Sequence, residues 1–199
     1  MTVTVVEEPQ ILTSIDELKY EELAQNGDLE TLLPYIYSGE LNWQHILRDL
    51  ACGGHLNHIQ FLLGLNLDMI GEDYNPYHEI LSGGIIGEQY HIVDWLCTED
   101  LLPGWMIPGS FISAVAQNQF DMFELLVSHY GTPSRTELRN LLGHAIVRRR
   151  AEMVQYLLPI FFSAPQTIPW KTLKHELISL HAAAKPYPDM LQLIPPIQS

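Results

Sequence analysis

Apolar positions in this chain return in one phrase, clearest from Leu50 to Leu63: a small-residue pair, a Gly-containing turn, then large aliphatic side chains three and four positions apart. Spacing of this kind puts the apolar residues on one stripe of a helix, so each phrase predicts two short antiparallel helices joined by a tight turn. Aligned on Gly54, the turn position falls on Gly27, Gly54, Gly87, Asn118, Arg149 and Pro186, with separations of 27, 33, 31, 31 and 37 residues. Before each turn stands a pair containing a small residue, such as Leu23-Ala24, Gly83-Gly84 or Ala145-Ile146, which lets neighbouring first helices approach closely. After it come the stripes: Leu32 and Ile36; Ile59, Leu62 and Leu63; Ile92, Trp95 and Leu96; Phe123, Leu126 and Val127; Val154, Leu157 and Leu158; Leu191 and Ile194. A helical hairpin repeated at this period predicts a stack in which each unit buries its stripe against the next.

Two stretches resemble the ankyrin repeat. Gly54-His55-Leu56 is similar to that family's Gly-His turn, and Asn57–Leu63 and Glu152–Leu158 are similar to its second helix. The resemblance spans 15–194 and implies an all-α, ankyrin-like helical-repeat solenoid with a concave binding face. Two family features are missing. The Thr-Pro-Leu-His helix start is replaced by His45-Ile46-Leu47-Arg48 in one unit and Gly109-Ser110-Phe111-Ile112 in another, and no Asp-Gly hairpin tip occurs. Irregular inter-repeat loops with few or no β-hairpins are therefore expected. The organisation read from the chain is an N-terminal extension over 1–14, one repeat domain over 15–194 and a short tail over 195–199.

The chain is 199 residues long and 47% apolar, enough for a sizeable core that a stack divides among its interfaces. Glu7 and Glu8 in place of a positive n-region argue against a secretory signal, and no apolar run approaches the roughly 18 residues of a membrane span. Two cysteines, Cys52 and Cys97, fit a reducing cytoplasm better than a disulfide scaffold.

Charge is unevenly placed. Residues 1–134 hold 20 acids and 2 bases, a net of −18, whereas 135–199 hold 8 bases and 4 acids, a net of +4. Such a negative field repels nucleic acid and anionic lipid and would steer a basic partner. The simpler alternative is that the acids keep an apolar chain soluble. Arg148-Arg149-Arg150 reads as a solvated turn, with an anion or acidic-motif site as the alternative.

Cys52, His55 and His58 sit at three-residue steps, a spacing that zinc ligands share. The repeat turn accounts for His55, no fourth ligand is evident, and His91 merely occupies the position of His58 in the next unit. His78-Glu79 and His175-Glu176 open like a metalloprotease helix but lack the second His. No nucleophile elbow, phosphate-binding loop or dinucleotide fingerprint occurs. No metal or cofactor is therefore assigned.

The inter-unit segments are rich in Pro, Gly and aromatics: Tyr74, Pro76 and Tyr77; Trp105 between Pro103 and Pro108; Phe161, Phe162 and Trp170. In the first reading, Tyr74, Tyr77 and Trp105 anchor a basic or mixed protein segment in an acidic concave groove rimmed by Glu72, Asp73, Glu79, Glu99 and Asp100. In the second, the groove has become a small-molecule site for acid/base chemistry of a cyclase or isomerase kind, with His45, Arg48, Asp49, His78 and Glu79 as its candidates.

Overall fold

The computed structural model describes residues 17–41, 43–65, 75–163 and 170–196. Its described residues form helices and no strand, arranged as six successive hairpins. These are α1 (Glu17–Gln25) with α2 (Leu29–Ser38), α3 (Trp43–Gly53) with α4 (Leu56–Gly64), and α5 (Pro76–Ile86) with α6 (Tyr90–Thr98). There follow α7 (Ile107–Gln117) with α8 (Phe120–Tyr130), α9 (Arg135–Val147) with α10 (Ala151–Ser163), and α11 (Trp170–Ala184) with α12 (Pro188–Leu191). The last hairpin keeps only one turn of its second helix.

Local signals set the helix ends. The Asp28 carboxylate caps α2 by accepting the Thr31 N–H at 3.3 Å, and Gly39 ends it in the left-handed region. Asn75 accepts the Tyr77 N–H at 2.9 Å just before Pro76 opens α5. At α9, Ser134 and Glu137 form a reciprocal capping box.

The expected stripes point inward. Leu32, Ile36, Ile59, Ile92, Leu96, Phe123, Leu126, Val154 and Leu157 are fully buried, and Leu62 nearly so. Leu63, Trp95, Val127 and Leu191 are partly buried against them. Each fully buried large side chain contributes about 1.5–3 kcal/mol, so the inter-unit interfaces carry much of the stability.

First helices pack directly on one another in sequence, α1 on α3, α3 on α5, α5 on α7, α7 on α9 and α9 on α11. Second helices meet more sparsely, chiefly α6 on α8 and α10 on α12. The closely spaced layer is thus that of the first helices. Glycine permits the close spacing. A Cβ on Gly83 would meet the Arg48 carbonyl and the Ala51 methyl, and one on Gly87 would meet the Cys52 carbonyl.

One turn departs from the sequence register. Positive φ falls on Gly27, Gly54, Asn118 and Arg149 as aligned, but in the third unit it falls on Glu88 (φ 56°) and not on Gly87. Gly87 is small because the preceding unit presses on it; the left-handed step comes one residue later. With that shift a ladder appears. After the first of these turns, the residue that follows each reaches back to a carbonyl of the preceding unit: His55 Nε2 to Gln25 O (2.8 Å), Gln89 Nε2 to Cys52 O (3.1 Å), Gln119 Nε2 to Ile85 O (2.6 Å) and Arg150 Nε to Ala116 O (2.8 Å). These N–H donors bind carbonyls near the C-terminal ends of the first helices, where backbone donors run short.

Candidate functional site

The structure brings some of the sequence candidates together and separates others. Arg48 and Asp49 form an ion pair at 3.6 Å on α3. Burial pushes the Asp49 carboxyl up, against the Arg48 charge beside it, while the Glu21 carboxylate adds to the rise. His45, on the same helix, is exposed. On α5, His78 Nδ1 and Glu79 Oε1 lie 3.4 Å apart, with the imidazole open to solvent. Tyr77 is half-buried against the core. Glu72, Asp73 and Tyr74 lie outside the described residues. Trp105, on the α6–α7 segment, is 68% exposed. It meets His78 across a cavity of about 160 Å³ that Ser82, Ser110 and Ser113 also line and no carboxylate enters.

That cavity is the first of a row between successive first helices. The next, between α7 and α9, holds about 160 Å³ and is lined by Ile107, Pro108, Phe111, Tyr130, Glu137 and Leu141, among others. The third, between α9 and α11, holds about 580 Å³ and includes Arg139, Asn140, His144, Val147 and Ser179. Ile112 and Asn140 belong to both of these, so the two are continuous. Small side chains at Gly109, Ser113, Gly143 and Ser179 keep the row open.

The Lys and Arg residues of the described helices fall on the first helices, and the rim expected from the sequence is described only at Glu79, Glu99 and Asp100. Every Asp, Glu, Lys and Arg within the second helices is an acid: Glu30, Asp94, Asp121, Glu124, Glu152 and Asp189. From α3 onward the first helices carry Arg48, Arg135, Arg139, Lys171 and Lys174 against Asp49, Glu79, Glu137 and Glu176. Several of the second-helix acids join neighbouring units. Asp94 accepts from His129 at 2.8 Å, Glu124 from the Tyr156 hydroxyl at 2.9 Å, Glu152 from Asn118 at 3.2 Å and Asp189 from Arg149 at 3.0 Å. Arg149 thus serves an inter-unit pair in addition to occupying a turn.

Burial, then the hydrogen bond to Glu124 and its charge, push the Tyr156 phenol up to about 12. The unfolded chain releases this proton near pH 10, earlier than the folded one, so the neutral phenol's contribution is complete below pH 10 and is lost as pH rises toward about 12. Tyr156→Phe is expected to flatten the fall in stability over that alkaline window. Urea titrations at stepped pH check this, and an unchanged slope would contradict it.

Sequence reasoning missed a buried charged cluster. Arg135 donates from Nε to Glu176 Oε2 at 3.0 Å and from Nη1 to the Phe161 carbonyl at 2.7 Å, and its guanidinium lies 4.0 Å from the Phe161 ring centre. It ties α9, α10 and α11 together. The only hint in the chain is a charged residue on each of two otherwise apolar stripes.

The histidines of the second and third units have turn duties. The His55 and His91 rings donate to the Gln25 and Gly54 carbonyls, and the two residues flank a shallow surface cleft with His58. Among the described residues no group of three or more His, Cys, Asp or Glu side chains is placed to hold a metal ion, and no helix is long and apolar enough to cross a membrane. Comparison with protein-family models, with curated proteins and with solved structures finds no match to this chain.

Proposed function

We propose that the chain is an ankyrin-like solenoid that works as a non-enzymatic protein-binding module, taking a partner segment along its first-helix face. The observation that carries this reading is the row of open clefts between α5, α7, α9 and α11, with the exposed Trp105 at its edge. Exposed tryptophan beside an apolar pocket is a typical interface anchor. With acids at Glu79 and bases at Arg139 and Lys171, the groove suits a segment of mixed charge better than a purely basic one. A reducing, cytoplasmic setting belongs to the same proposal, in keeping with the unpaired thiols of Cys52 and Cys97.

The small-molecule reading rests on the cavity where His78 meets Trp105. There His78 has Glu79 Oε1 3.4 Å from its Nδ1, but the Glu79 carboxylate does not line the cavity, and His45, Arg48 and Asp49 lie on α3 outside its lining.

Selection of a displayed random-peptide library against the full chain separates these readings. Peptides are expected to lose roughly tenfold or more in affinity for Trp105→Ala, the scale of a hot-spot residue, and none for Phe61→Ala on the outer layer. Binders sensitive to Phe61→Ala alone would overturn the assignment of the face.

A further inference from the structure

The α9/α11 cleft is the widest of the row, at about 580 Å³, and no carboxylate lines it. Among the described residues the Arg139 side chain makes no ion pair or hydrogen bond. Four-residue helical steps carry the stripe of Ser179 back along α11 to His175 and Lys171, both exposed. Of the two carboxylates on these helices, Glu176 points to another cluster and Glu137, which lines the adjoining α7/α9 cavity, is held by a cap. Glu176 holds Arg135, and Glu137 accepts the Ser134 N–H at 2.7 Å. The result is a half-groove with an unpaired guanidinium, an ammonium and two imidazoles beside the neutral hydrogen-bonding groups of Asn140 and Ser179.

This cleft runs into the α7/α9 cavity, whose apolar wall is Ile107, Pro108, Phe111 and Leu141 and whose volume is about 160 Å³. An apolar cavity of about 150 Å³ accepts a benzene ring, so the space fits one aromatic or branched aliphatic side chain.

Resting on the reading of the first-helix face as a protein-binding groove, we infer that its C-terminal half is a site for an acidic–apolar protein segment. One apolar side chain of the partner seats between α7 and α9, and neighbouring Asp or Glu residues lie over Arg139 and Lys171. Charge complementarity selects this occupant. A free guanidinium in a cleft without anions gains from a carboxylate, which it can grip through two parallel N–H bonds. A nucleic acid backbone offers no aliphatic or benzyl-sized side chain for the α7/α9 cavity. The groove thereby acquires a direction, with the acidic end of the partner at α9/α11 and its other end toward Glu79 and Trp105.

Fluorescence anisotropy with the full chain tests this, using three labelled probes: a peptide of one Trp followed by a run of Glu, its counterpart with Lys in place of Glu, and single-stranded oligo-dT. The Glu peptide is expected to bind, to weaken as salt is raised, and to lose about tenfold or more in affinity for Arg139→Glu. Arg139→Gln should give a smaller loss, and Arg148→Glu on the α9–α10 turn should give little. Far-UV circular dichroism establishes that the variants are folded. No binding of the Glu peptide, equal binding of the Lys peptide, or oligo-dT binding with the same Arg139 dependence would overturn the inference. If library-selected peptides need Trp105 but ignore Arg139→Glu, this polarity fails while the binding module stands. If they need neither, both fail.

Discussion

Replacing Glu176 with Leu is expected to cost about 3–5 kcal/mol, because it leaves the Arg135 guanidinium buried without its counter-charge. Arg135 is 8% exposed, and its remaining partners, the Phe161 carbonyl and ring, are both neutral. Removing both charges together, as in Arg135→Met with Glu176→Leu, should recover most of the loss, since two well-packed apolar side chains need no desolvation of ions. The damage should be local. In a stacked array each unit leans only on its neighbours, so amide hydrogen exchange should rise in α11 and α12 well before α3 or α5. A loss below about 1 kcal/mol would mean that the freed guanidinium reaches water, and the cluster would then not be the tie that its geometry indicates.

Gly83→Val is the second large effect, expected at about 3 kcal/mol. A Cβ at Gly83 meets the Arg48 carbonyl oxygen and the Ala51 methyl, neither of which can step aside without moving α3. The first-helix layer would have to open at the α3/α5 interface. Gly143→Ala provides the contrast. It also lies within a first helix, but nothing stands within 4 Å of its added Cβ, so relief of glycine's backbone entropy should stabilise the chain by about 0.5–1 kcal/mol. Urea denaturation of both variants checks the pair. Similar effects at the two positions would show that the close α3/α5 contact is not what constrains Gly83.

Much of the candidate site was hidden from sequence reasoning for a definable reason. Trp105 and His78 were both singled out, and they do meet, yet the sequence placed them in an acidic groove. What the sequence did not show is that Asp94, Glu124, Glu152 and Asp189 on the second helices bind groups in neighbouring units. Net charge along the chain does not report which helix of a hairpin carries it. Nor does it report that Arg139 remains unpaired while Arg135, four residues earlier on the same helix, is buried against Glu176. The inter-unit ladder was within reach. His55, Gln89, Gln119 and Arg150 share only a side-chain N–H donor, and aligning the third unit on Gly87 instead of Glu88 moved Gln89 out of line.

The sequence by itself determined the helical hairpins, their number and the side of each second helix that turns inward. Those features depend on spacing within a few residues, where 3.6-residue periodicity and turn chemistry act directly. Tertiary structure alone decided which helices pack most closely, where the clefts open and which charges are matched or left free. Those outcomes depend on the offset between stacked units. Arg135 and Glu176 lie 41 residues apart, and their contact comes from the way α11 is set against α9 and not from either helix alone.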